Sequence, residues 1–162
     1  MEPAEALSTA AQVAVALAGF AGVVVVFRSG SVHEWSKIDK FRLRILLTNS
    51  AVPLALCLVG HLLLTANLSP TTIWRWASAF AAVLFFPIVI VYLKAFRSFP
   101  CTELQTASGS RSLFSVGLAF GTAVSILQLY NAAVLDAFWP FFLGIISLLL
   151  AGVFQFVRLV VI

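Results

Sequence analysis

Five apolar runs, at about 8–27, 45–66, 73–93, 113–135 and 138–157, fill most of the chain, and its basic residues gather in every second gap between them. A hydrocarbon core about 30 Å thick is crossed by about 20 helical residues at about 1.5 Å each, so each run can span a bilayer. Lipid leaves the backbone to satisfy its own hydrogen bonds, and a lone apolar run does this only as an α-helix. The pattern predicts an all-α membrane protein, a bundle of five transmembrane helices with a short cytoplasmic interfacial helix. Residues 1–162 are expected to form a single integral membrane domain.

Composition narrows the class further. With 62% hydrophobic and 10% charged residues, and a mean hydropathy of +1.08, the chain lacks the polar surface that would cover a soluble globule. The net charge of +4 does not point to nucleic acid, because the basic residues sit at the borders of the apolar runs rather than in a solvated domain. Cys57 lies inside the second run and Cys101 in a loop, at different depths, which gives no basis for a disulfide or a redox pair.

Orientation follows from the positive-inside bias. The first gap carries Arg28, Lys37, Lys40, Arg42 and Arg44, the third has Lys94, Arg97 and Arg111 near its ends, and Arg158 sits at the tail. The second gap, Asn67 to Thr72, holds no Lys or Arg, the fourth has only Asp136, and the amino end has Glu2 and Glu5. The amino terminus is therefore expected outside and the carboxyl terminus in the cytoplasm, as an odd number of spans requires. The acidic leader and the length of the first run favour a retained helix over a secretory signal. Trp74, Trp76 and Trp139 fall at the outer boundary, and Trp35, Tyr92, Phe96 and Phe99 near the inner one, as interfacial aromatics do.

Local signals add detail. Ser31-Val32-His33-Glu34 has capping-box spacing and predicts a helix from about Val32. Trp35, Ile38, Phe41 and Ile45 recur at spacings of three and four, with Lys37, Lys40 and Arg44 on other faces, which describes an amphipathic helix running into the second span. Pro53 and Pro87 lie within spans, where each removes a backbone hydrogen bond, whereas Pro140 falls in a first turn, where its missing N–H costs nothing.

Two stripes of small residues predict close helix contacts. One runs through Ala10, Ala14, Ala18 and Gly22 of the first span, the other through Gly117, Gly121 and Ser125 of the fourth. The second span carries Ser50, Pro53, Cys57 and His61 on one stripe, since offsets of 3, 7 and 11 residues return to nearly the same angle. An ionisable side chain within a span calls for a polar partner. Judged by depth, His61 can meet Gln128 or Asn131 in an outer-leaflet polar pocket, with Gln12 and Arg75 near its mouth. Arg75 either snorkels between its Trp neighbours or pairs with Asp136, and Asn49, Ser50 and Gln155 suggest a second polar layer nearer the cytoplasm.

The function classes that follow are broad. None of the six acidic residues lies inside a span, which disfavours a proton-coupled carrier. There is no HExxH, no phosphate-binding glycine loop, no Ser–His–Asp set and no paired carboxylates, and nothing completes a metal site with Cys57 and His61. The expectation is a non-enzymatic protein without metal or cofactor, in the cytoplasmic or inner membrane if the source is bacterial, with membrane lipid around it. It would serve as a small accessory or scaffold subunit, packing as a homo-oligomer or against a larger membrane complex. The alternative is a small homo-oligomeric channel or transporter using the pocket around His61.

Overall fold

A computed structural model describes residues 2–27, 37–98 and 111–161. The capping box at 31–34 and Arg28, Trp35, Phe99 and Cys101 lie outside them. The described residues form five α-helices and no strand: α1 (Pro3–Phe27), α2 (Lys37–Thr65), α3 (Pro70–Ser98), α4 (Arg111–Tyr130) and α5 (Phe138–Val161). α4 continues into one π-helical turn, Asn131–Leu135. Each helix, α4 together with its π-turn, contains a stretch long and apolar enough to cross a membrane, from Pro3–Val26 in α1 to Phe138–Arg158 in α5. The helices overrun the apolar stretches because backbone hydrogen bonding continues into the polar boundary. At 29 residues, α2 and α3 are each about 44 Å long against about 30 Å of hydrocarbon. The predicted interfacial segment is met only in its second half, where Lys37 onward runs without a break into the second span.

The chain divides into two compact units, Met1–Ser69 with Phe142–Ile162, and Pro70–Phe141. In the first unit α1 and α5 run parallel and α2 antiparallel to them. Ala21 packs with Leu43 and Leu46 at one end, joined by Phe156, while Ser8 meets His61 at the other. The buried positions of α1 are Leu7, Ala10, Ala14, Leu17 and Ala21, and those of α2 include Leu43, Leu46, Ser50, Pro53 and Cys57. Both series alternate steps of three and four, the seam of helices crossing at a shallow angle. A strict i+4 row turns about 40° per step at 3.6 residues per turn. Along Ala10, Ala14, Ala18 and Gly22 the side chains accordingly pass from buried, through half-buried, to open space at Gly22.

Pro53 shapes the joint between α2 and α5. Its ring nitrogen cannot donate to the Asn49 carbonyl one turn earlier. Gly152 of α5 lies against that carbonyl: a Cβ at Gly152 would stand 3.6 Å from Asn49 O, 3.5 Å from Asn49 Cβ and 3.4 Å from Leu17 Cδ1. One methyl fits there and a branched side chain does not.

In the second unit α3 and α4 are antiparallel. Val89 Cγ2 of α3 would lie 3.9 Å from a Cβ at Gly121, and at the other end Trp74 covers the start of α5, with ring centroids 4.7 Å from Phe138 and 6.0 Å from Phe141. Asn67 and Asp136, just beyond α2 and the π-turn, adopt left-handed backbone conformations with φ of 51° and 50°. Asn and Asp tolerate that region better than other side chains bearing a Cβ, and each ends its helix there.

The α2–α5 joint gives a graded test. Gly152→Ala should stay within about 1 kcal/mol of wild type in detergent unfolding, whereas Gly152→Leu should lose at least about 2 kcal/mol through overpacking. Equal tolerance of both would contradict the close approach.

Candidate functional site

The polar side chains within the spans fall into separate groups in the two units. In the first, His61 is half-buried near the end of α2, and its Nε2 lies 3.2 Å from Ser8 Oγ, the tautomer deciding which group donates. Gln12 is exposed one turn deeper than Ser8 on the same face of α1. Cys57, one turn from His61, is fully buried. Asn49 and Ser50 are also buried, with Ser50 Oγ donating to the Leu46 carbonyl at 2.9 Å. Gln155 Oε1 is buried without a protein donor.

The second unit holds the denser network, built around the π-turn. Widening of the last turn after α4 lets the Asp136 N–H reach the Asn131 carbonyl at 3.0 Å, five residues back. Asn131, fully buried, donates from Nδ2 to Ser78 Oγ at 2.6 Å and to the Ala137 carbonyl at 2.9 Å, and its Oδ1 accepts from the Ala137 N–H at 3.0 Å. One amide thus clamps the connection between two spans and ties it to α3. Gln128, one turn below, donates from Nε2 to the Pro140 carbonyl at 2.7 Å, while its Oε1 accepts no bond from the protein. Ser125, buried beside it, turns its hydroxyl back to the Gly121 carbonyl at 2.8 Å.

At the rim, Arg75 forms a two-pronged ion pair with Asp136, Nε to Oδ1 at 2.9 Å and Nη2 to Oδ2 at 2.6 Å. The Asp136 side chain is 14% exposed and that of Arg75 55%. Hydrogen bonding from Arg75, reinforced by its charge, holds the Asp136 carboxyl below its usual range, with desolvation opposing. Any stability this adds is present above the unfolded carboxyl value near about 4 and is lost as pH falls through the lowered native one. Trp76 and Trp139 flank this rim in sequence and are exposed.

Four of the five candidate pocket residues therefore have assigned partners. Gln128, Asn131 and Arg75 belong to one polar connection, with Ser78, Pro140 and Asp136 as partners; His61 and Gln12 lie in the other unit, with Ser8 as the partner of His61. Of the packing residues, Ala14 is buried, Ala18 and Gly121 are half-buried, Ser125 is buried, and Gly22 and Gly117 have nothing within 4 Å of a would-be Cβ. Ser8 and Ser78 were not picked out by pattern, because a serine near a span end carries no distinctive spacing. Among the described residues no three His, Cys, Asp or Glu side chains gather at metal-binding distance. No protein-family model matches the chain, and neither a curated protein nor a solved structure is significantly similar to it.

What this arrangement can do is hold a turn. Asn131→Ala removes three bonds and strands buried partners, and should cost about 2–4 kcal/mol in detergent unfolding, against about 1 kcal/mol for Ser78→Ala. A loss below 1 kcal/mol for Asn131→Ala would show that the clamp is not structural.

Proposed function

We propose that this multi-pass helical membrane protein is a non-catalytic accessory or scaffold subunit that packs against a second copy or a larger membrane complex. The observation that carries this is a set of helical glycines with no packing neighbour among the described residues. Among the described residues, Gly19 and Gly22 of α1 and Gly117 of α4 have no heavy atom within 4 Å of a would-be Cβ. Glycine in a helix interior costs about 1 kcal/mol relative to alanine, and its usual benefit in membranes is close approach of another helix. Only 22% of the apolar stretch of α1, and 22% of that of α4, is buried, against 44% for α2. These two helices thus keep broad faces for lipid or a partner, while the polar residues of each unit largely bond within it.

The channel reading requires a polar stripe that lines water. Burial of Ser50, Pro53 and Cys57 on α2, and of Ser125 and Gln128 on α4, favours the accessory reading over it. A location in the cytoplasmic or inner membrane belongs to the same proposal.

Cysteines placed at Gly22 or Gly117, in a chain with Cys57 and Cys101 replaced by serine, test the contact in native membranes. Oxidation should give a product of higher mass at one of these positions, and Gly22→Leu with Gly117→Leu should release the monomer on gentle extraction. A lone monomer from wild-type membranes, with no cross-link at either position, would remove the proposal.

A further inference from the structure

Between α1 and α5 in the first unit runs an apolar groove of about 280 Å³, lined on one side by Ala6, Thr9, Ala10 and Val13 and on the other by residues from Phe142 to Val153. Its one polar side chain is spent, because Thr9 Oγ1 donates to the Glu5 carbonyl at 3.0 Å and leaves its methyl to the groove. The groove is blind at its inner end. There Leu17 closes on Gly152, and the Phe20 and Phe156 rings meet at 5.6 Å. Its other end lies toward the first turns of α1, at Ala6 and Thr9. From Phe142 to Val153 it follows about 16 Å of helix, about half of a 30 Å hydrocarbon core and so about one leaflet. A dry cavity of about 150 Å³ holds a six-carbon ring, and by that measure this one takes about ten to twelve carbons of a chain.

Two carboxylates stand at this end of α1. Ala6 and Ala10 continue the row that starts at Glu2, and Thr9 and Val13 the row that starts at Glu5, since residues four apart share a helix face. Both glutamates are exposed, and the Ala6 N–H donates to the Glu2 carbonyl at 3.1 Å, which fixes that first turn. Every Lys and Arg of this unit, namely Arg28, Lys37, Lys40, Arg42, Arg44 and Arg158, lies toward the opposite end of these helices in sequence. Within this unit the two full carboxylate charges outweigh the partial positive charge of the α1 N-terminus, so this end favours a cation over an anion, while the groove behind it accepts only hydrocarbon.

We infer that this groove binds one acyl chain of a bilayer phospholipid whose headgroup ends in an ammonium, with the chain between α1 and α5 and the ammonium at Glu2 and Glu5. Charge complementarity selects this occupant over an anionic lipid, and the apolar lining selects a chain over a polar solute. The site is separate from Gly19 and Gly22, which lie further along α1.

The test uses the full chain in nanodiscs containing phosphatidylethanolamine or phosphatidylglycerol, each with a photoreactive group on the acyl chain, at low salt. Labelling should map to Ala6–Val13 and Phe142–Val153 and be at least about threefold greater with the ethanolamine lipid, a modest electrostatic preference. Glu2→Gln with Glu5→Gln should bring the ratio close to one, and Ala10→Phe should remove groove labelling with both lipids. The two glutamates are exposed, so the glutamine variant keeps the test valid even where Ala10→Phe fails to fold. Equal labelling of the wild type by the two lipids, a preference unchanged in the glutamine variant, or protein–protein cross-links filling the groove would each overturn the inference.

Discussion

Hydrocarbon offers no hydrogen-bond partner, so a chain placed in it must answer its polar groups from within. This single constraint accounts for most of what the helices do. The backbone bonds to itself over five long helices, and Ser50, Thr122, Ser125 and Ser147 turn their hydroxyls back to carbonyls one turn earlier. At the connection after α4 the buried Asn131 supplies three bonds. Where the constraint relaxes, at the rim, a charged pair appears instead, with Arg75 half in solvent and Asp136 tucked beneath it.

Packing follows a second consequence of the same medium. Lipid tails are as apolar as leucine, so helices gain little from merely hiding hydrophobic surface and associate where backbones approach closely. Gly152 against the Asn49 carbonyl is such a place within the chain, and Pro53 helps make it by removing an amide from that turn. Gly19, Gly22 and Gly117 have no heavy atom of the described residues against them. The apolar groove between α1 and α5 is the opposite case, where small residues at Ala6 and Ala10 leave the helices apart and give a lipid chain room.

The five helices were legible because hydropathy reports the medium directly, and each apolar run lies on one helix or its π-turn extension. Helix ends were less so: hydropathy marks where lipid stops, while hydrogen bonding carries α2 back to Lys37 and α3 on to Ser98. The stripe Ser50–Pro53–Cys57 was readable, since steps of three and four hold one face, and the strict i+4 row from Ala10 to Gly22 was not, since it winds off that face. Partners of polar groups were harder still. Depth placed Gln128, Asn131 and His61 near one level, but two of the acceptors used by the amides are the backbone carbonyls of Pro140 and Ala137, which no side-chain pattern advertises. The π-turn was hidden for the same reason, because Asn-Ala-Ala-Val-Leu looks like ordinary helix until Asp136 takes its left-handed conformation.

Everything rests on five crossings of a bilayer by this chain, which puts its two ends on opposite faces. Single cysteines at Glu2 or Ile162, in a chain with Cys57 and Cys101 changed to serine, read this directly with a membrane-impermeant thiol reagent on intact cells. The account predicts labelling at position 2 from outside and at position 162 only after permeabilisation. Labelling of both positions from the same side would contradict it.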